Sequence, residues 1–189
     1  VQDERGMLFD RPVYVDFLTE EEFEAEVTTD DADLTEQDRA EIEDATAELR
    51  AVGLVYAEFD MVDETNEVSG GATLAYYDPE SERIPVRGTE LTPYVEGTLV
   101  HELTHALQDQ HFDLRALQEA AGPDGDFRFR AVVEGDAVRV ADAYYDQLSD
   151  ADKEAYDEEQ DATIEKGEGG DDGEDGGYAP VVAAYFGAP

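Results

Sequence analysis

Two histidines four positions apart bracket a glutamate in the run His101-Glu102-Leu103-Thr104-His105. In an α-helix, residues four apart lie about 40° apart around the axis, so both imidazoles leave one face, one turn apart. That spacing suits two corners of a tetrahedral zinc site. Glu102 projects about 100° round from His101. From there its carboxylate reaches a metal-activated water rather than the metal, takes the water's proton and later delivers it to a leaving amine. The chemistry this pattern predicts is zinc-dependent hydrolysis of a peptide bond. The chain has three histidines, and all of them fall between His101 and His111. The plain alternative is two surface histidines on an ordinary amphipathic helix.

A third metal ligand must come from elsewhere, and two residues compete. His111 follows His101 by ten positions, the spacing of the metzincin motif HExxHxxGxxH, but Gln108 stands where that motif has glycine. Both methionines, Met7 and Met61, precede the motif, so no methionine turn follows it. A helix continuing through Gln108 would turn His111 about 120° away from His105. Glu134, in Val132-Val133-Glu134-Gly135-Asp136-Ala137, lies on a second predicted helix between apolar neighbours, where a carboxylate needs a reason to be. In so acidic a chain a solvated glutamate is the competing account. Asp136 is a candidate for holding a ligand imidazole from behind, or is surface charge. Hydrogen-bond donors to a tetrahedral oxyanion are sought among Tyr76, Tyr77, Tyr144, Tyr145 and His111; the sequence does not choose among them.

The elements that must position these residues are legible in outline. Arg11 to Leu18 alternates Val13, Val15 and Phe17 and reads as a strand. Thr19 caps a short acidic helix, Glu20 to Val27, with Glu22 at the capping-box position. Thr35 opens a longer helix to about Val52, whose apolar side is Ala40, Ile42, Ala45, Ala47, Leu49 and Val52. Residues 54 to 70 carry no clear pattern, and part of them reads as helical. Ala72 to Tyr77 and Arg83 to Arg87 read as a β-hairpin, with Pro85 marking the second strand as incompletely paired. Thr92-Pro93 starts the motif helix, which runs to about His111. A short helix from Asp113 to Ala121 precedes a break at Pro123-Asp124-Gly125. Long helices follow, Phe127 to Leu148 and Ser149 to Lys166. Gly167 to Gly177 is a low-complexity acidic loop without the carboxylate spacing of an EF-hand.

Asp and Glu number 51 against 12 Lys and Arg, a formal net charge of -39 over 189 residues. Nucleic acid and anionic membrane surfaces are poor partners for such a chain, because phosphate binding needs Lys and Arg. With 41% hydrophobic residues the chain still has material for a core. Self-repulsion at this charge disfavours the compact state in dilute buffer, and molar salt screens it, so the composition reads as that of a halophile's protein. There is no cysteine, which excludes disulfides and thiolate metal sites. No apolar run reaches the length of a membrane span. The ends read as those of an excised domain: a zincin-like body over 1–166, the loop 167–177, and a truncated segment 178–189. Oligomeric state is not legible.

The run His101 to Leu114 (HELTHALQDQHFDL), followed by Glu134-Gly135-Asp136-Ala137, resembles prokaryotic zinc metallopeptidase-like proteins of the gluzincin type. The segments Tyr76-Tyr77-Asp78-Pro79 and Arg83-Ile84-Pro85-Val86, and the opening Val13 to Glu26, are similar to that group as well. The likeness is strongest from about Leu74 to Tyr145. It implies an α+β zincin-like fold, mostly helical with a small mixed sheet, the motif helix running beneath an edge strand. It also implies His101, His105 and Glu134 as zinc ligands and Glu102 as general base, with a peptide or protein as substrate. Many members of that group are secreted or lipid-anchored. A function of another class is a zincin-fold binding or scaffold module that keeps zinc and cleaves little; a third is a salt-adapted structural protein whose motif is accidental.

Overall fold

The computed structural model describes residues 1–56 and 59–167. In chain order they form α1 (Gln2–Arg5), β1 (Tyr14–Leu18), α2 (Glu20–Val27), α3 (Glu36–Ala51), α4 (Met61–Ala72), β2 (Arg83–Arg87), α5 (Pro93–Phe112), α6 (Leu114–Ala121), α7 (Pro123–Asp146) and α8 (Asp150–Gly167). The class is α+β, mostly helical with one small sheet. The expected loop 167–177 and segment 178–189 lie, from residue 168 on, outside the described residues. No described helix is long and apolar enough to cross a membrane. The described residues pack as two compact units, Val1–Thr19 with Leu74–Gln160, and Glu20–Thr73 with residues 161–167.

The first unit is built around α5. Thr92 caps it by accepting from Val95 N–H, Pro93 fills the first turn where no donor is needed, and Asp113 in the left-handed region ends it. Val95, Leu99 and Leu103 recur every four residues and form one stripe. The stripe packs on Ile84 and Val86, alternate residues of β2, together with Ala75, Val13 and Val15. Burial of this cluster fixes how α5 lies on the sheet.

The expected hairpin pairing is present in part, and a third segment joins it. β2 pairs in parallel with β1, in the register Val15 to Ile84 and Phe17 to Val86. On its other side residues 74–78 run antiparallel to it, with isolated bridges at Ala75–Val86 and Asp78–Arg83. Three bonds hold that side: Asp78 N–H to Arg83 O, Tyr76 N–H to Pro85 O, and Arg87 N–H to Leu74 O. Pro85 has no N–H to return to Tyr76, which breaks the ladder in its middle. Ala72, expected to begin the hairpin, instead ends α4. The alternation expected in β1 holds at Val13 and Val15 but not at Phe17, which is 40% exposed and outside the cluster.

Two further boundaries moved. Pro123-Asp124-Gly125 was expected to break the chain; α7 instead begins at Pro123, with proline in its first turn, where its missing N–H costs nothing. In the second unit the patternless stretch contains α4, whose cap, Asp60, accepts from the N–H groups of Val62 and Asp63. That unit has its own core of Leu49, Val55, Phe59 and Met61, with Ile42 and Ala45 against it. Ala40, Ala47 and Val52, assigned to the apolar side of α3, are exposed.

Candidate metal centre

His101 and His105 leave α5 on one face, one turn apart, and Glu134 approaches from α7. The three donor atoms converge. His101 Nε2 lies 3.1 Å from Glu134 Oε2 and 2.9 Å from His105 Nε2, and His105 Nε2 lies 3.3 Å from the same carboxylate oxygen. Tetrahedral bonds of about 2.0–2.1 Å to N and O put neighbouring ligand atoms about 3.3 Å apart, so the triangle has the edges that one small cation requires. The histidine side chains are 16% and 12% exposed and that of Glu134 is 45% exposed, so the ligands sit on packed helices while one side stays open.

The chemistry of the donors suits a divalent metal. Burial pushes the Glu134 carboxyl up, but hydrogen bonds from His101 and His105 and their charges outweigh it and hold the group at about 2. It is therefore an anion at neutral pH. Burial lowers the His105 pKa; hydrogen bonding to Glu134 and the charges of Glu102 and Glu134 more than reverse this, and the group sits above its ordinary value. Two imidazole nitrogens and a carboxylate are a zinc-type donor set.

Glu102 lies beside this trio and is 3% exposed. Among the described residues it is the only fully buried carboxylate, in a chain of 51 acids. Burial raises its pKa, against the pull of His105 and His101. Its Oε2 accepts the backbone N–H of Tyr77 at 2.7 Å. That N–H is available because residues 74, 76 and 78 take the bonds toward β2, so the residue between them faces the other way. The Tyr77 hydroxyl donates to Asp109 Oδ2 at 2.9 Å, and Asp109 Oδ1 accepts Leu114 N–H. Tyr77 is thus tied twice to α5, once at each end of a two-turn span.

The other candidates stand elsewhere. α5 does continue through Gln108, and the His111 Nε2–H donates to the Leu8 carbonyl at 2.8 Å. The Tyr144 hydroxyl donates to Glu96 and that of Tyr145 to Asp157. Tyr76 adjoins Tyr77, its N–H on Pro85 O. Asp136 does not touch an imidazole. It accepts from the side-chain amide of Gln108, and Gln108 Oε1 faces His105 Nδ1 at 3.0 Å. Gln108 was noticed in the sequence only as a departure from glycine. Its position three after His105, on the same helical face, was the signal available.

No family model, curated protein or solved structure matches the chain.

Proposed function

We propose that this chain is a zinc-dependent, gluzincin-like peptidase domain, in which His101, His105 and Glu134 hold the metal and Glu102 is the general base. The observation that carries the proposal is the triangle of donor atoms, with edges of 2.9, 3.1 and 3.3 Å, formed by residues of two helices. Residues 101 and 134 are 33 positions apart, and solvated surface groups have no reason to meet in this way. Zinc, when bound, polarises the scissile carbonyl and makes water acidic enough to attack at neutral pH.

The rest is the work of the chain's own residues. Tyr77 N–H holds Glu102 Oε2, which leaves Oε1 to take the proton of the attacking water and to hand it to the leaving amine. Burial, which raises the affinity of Glu102 for that proton, suits a group that must keep it between the two steps. A carboxylate is costly to bury without a partner charge, and a site that only stored zinc would not need one at this position. Residues 74–78 flank β2 as an incomplete strand, and a peptide substrate adds there as a further strand by main-chain bonding. The zincin-like arrangement, with the motif helix under an edge segment, belongs to this reading. So does salt adaptation, which the almost wholly superficial placement of the acids supports.

The test is metal content and turnover of a peptide library, both in molar salt. One zinc per chain is expected, retained in Glu102→Gln with activity lost, lost in Glu134→Ala, and retained in His111→Ala. Zinc without turnover in the wild type marks a non-catalytic zinc-holding module. A wild type that holds no zinc after reconstitution removes the proposal altogether.

A further inference from the structure

We infer that Gln108 is a positioning residue that fixes the tautomer and orientation of His105, and that Asp136 acts on the site only through it. The orientation of the Gln108 amide is dictated by its surroundings. Its Nε2 has two acceptors within reach, Val133 O at 3.1 Å and Asp136 Oδ2 at 2.9 Å. The reverse orientation would set an oxygen against both. Oε1 therefore faces His105 Nδ1, at 3.0 Å. An amide oxygen can only accept, so Nδ1 carries a proton, which leaves Nε2 as the nitrogen that would give its lone pair to a metal. That is the form a metal-ligating imidazole must take, and a fixed donor–acceptor partner on the far nitrogen also raises ligand basicity.

Asp136 is held in turn. Arg5 Nε lies 3.0 Å from Asp136 Oδ2, and Arg139 approaches Oδ1 at 3.5 Å. The relay therefore runs from α1 through α7 to α5, Arg5 to Asp136 to Gln108 to His105. Gln108 is 6% exposed. Behind it lies a cavity of about 380 Å³ lined by Arg5, Phe112, Leu114, Val133 and Asp136 among others. Shortening Gln108 would open the imidazole to that space and let it turn.

The inference rests on the metal reading above, and the experiment separates the two. Zinc dissociation constants are measured by chelator competition in molar salt for the wild type, Gln108→Ala and Gln108→Met. Loss of such an outer partner typically weakens metal binding about 10- to 100-fold, and that loss is expected for Gln108→Ala. Methionine fills the same space but offers Nδ1 no amide oxygen, so Gln108→Met is expected to lose about as much. A second readout needs no variant: in the zinc-loaded wild type, nitrogen-15 spectra of His105 are expected to show a protonated Nδ1 and a metal-bound Nε2. Zinc on Nδ1 overturns the inference. So does a Gln108→Ala or a Gln108→Met constant within twofold of the wild type. Each of those results leaves the zinc reading standing; a wild type without zinc removes both.

Discussion

Gly97 lies one helical turn before His101, on the face of α5 against which Tyr156 of α8 packs. A methyl group at position 97 would sit 2.6 Å from Tyr156 Cε2 and 3.2 Å from its hydroxyl oxygen. Carbon atoms rest at about 3.5–4.0 Å, so the overlap is about 1 Å. The ring has little room to retreat, because it is held edge-on between Tyr94, with centroids 4.9 Å apart, and Tyr145, at 5.0 Å. Gly97→Ala gains about 1 kcal/mol of helix propensity. Against that, overpacking costs about 1–3 kcal/mol, and loss of an aromatic pair about 0.5–1.5 kcal/mol. The variant is expected to be less stable by about 1–2 kcal/mol, which lowers the melting temperature by roughly 2–8 °C in a chain of this size. The assay is thermal melting in molar KCl for Gly97→Ala, Tyr156→Leu and the double variant. The double variant should lose less than the sum of the singles, because the leucine removes the clash. Since His101 follows one turn later, the zinc constant of Gly97→Ala also reports whether α5 has shifted. A Gly97→Ala protein that melts at or above the wild type would refute the argument.

Other expectations follow from the same coordinates and composition. The melting temperature should climb steeply from low salt to molar KCl, since screening at about 3 Å in place of about 10 Å removes most of the repulsion of a net charge of -39; a flat salt profile would end the halophile reading. Ile84→Ala, at a fully buried position beneath α5, should cost about 2–5 kcal/mol in denaturant titrations. Asp38 closes the capping box of α3, where the Thr35 hydroxyl and then the Thr35 N–H hold its carboxyl below the ordinary range. A depressed folded value stabilises above the unfolded pKa of about 3.9 and is lost as pH falls through the folded one. Asp38→Ala should therefore melt below the wild type at pH 7, and the gap should narrow in acid; a gap that persists unchanged would show that the charge of Asp38 is not what matters.

How much was legible varied with the range of the interaction. The motif helix was readable to within a residue or two because each of its signals is local: Thr92 as cap, Pro93 in the first turn, and an apolar stripe at a spacing of four. The continuation through Gln108, and with it the departure of His111 from the site, follows from the same periodicity. The class, mostly helical with a small sheet, was also correct. The hairpin was legible in part: residues 74–78 do pair antiparallel with β2, with the ladder interrupted at Pro85, but β2 also pairs in parallel with a strand 69 positions upstream, Tyr14 against Arg83. Nothing in either run encodes that choice. α4 was legible only as a partly helical stretch without bounds, because its cap, Asp60, is one acid among many.

What the sequence determined by itself is therefore the face that carries His101, Glu102 and His105, because 3.6 residues per turn is a property of any helix. It also determined the charge, a net of -39. The meeting of Glu134 with that face, the burial of Glu102 under Tyr77, and the hold of Gln108 on His105 were decided only by tertiary structure. Each joins groups on different elements, and the packing of apolar stripes, which is indifferent to what the polar residues between them will do, settles which elements touch.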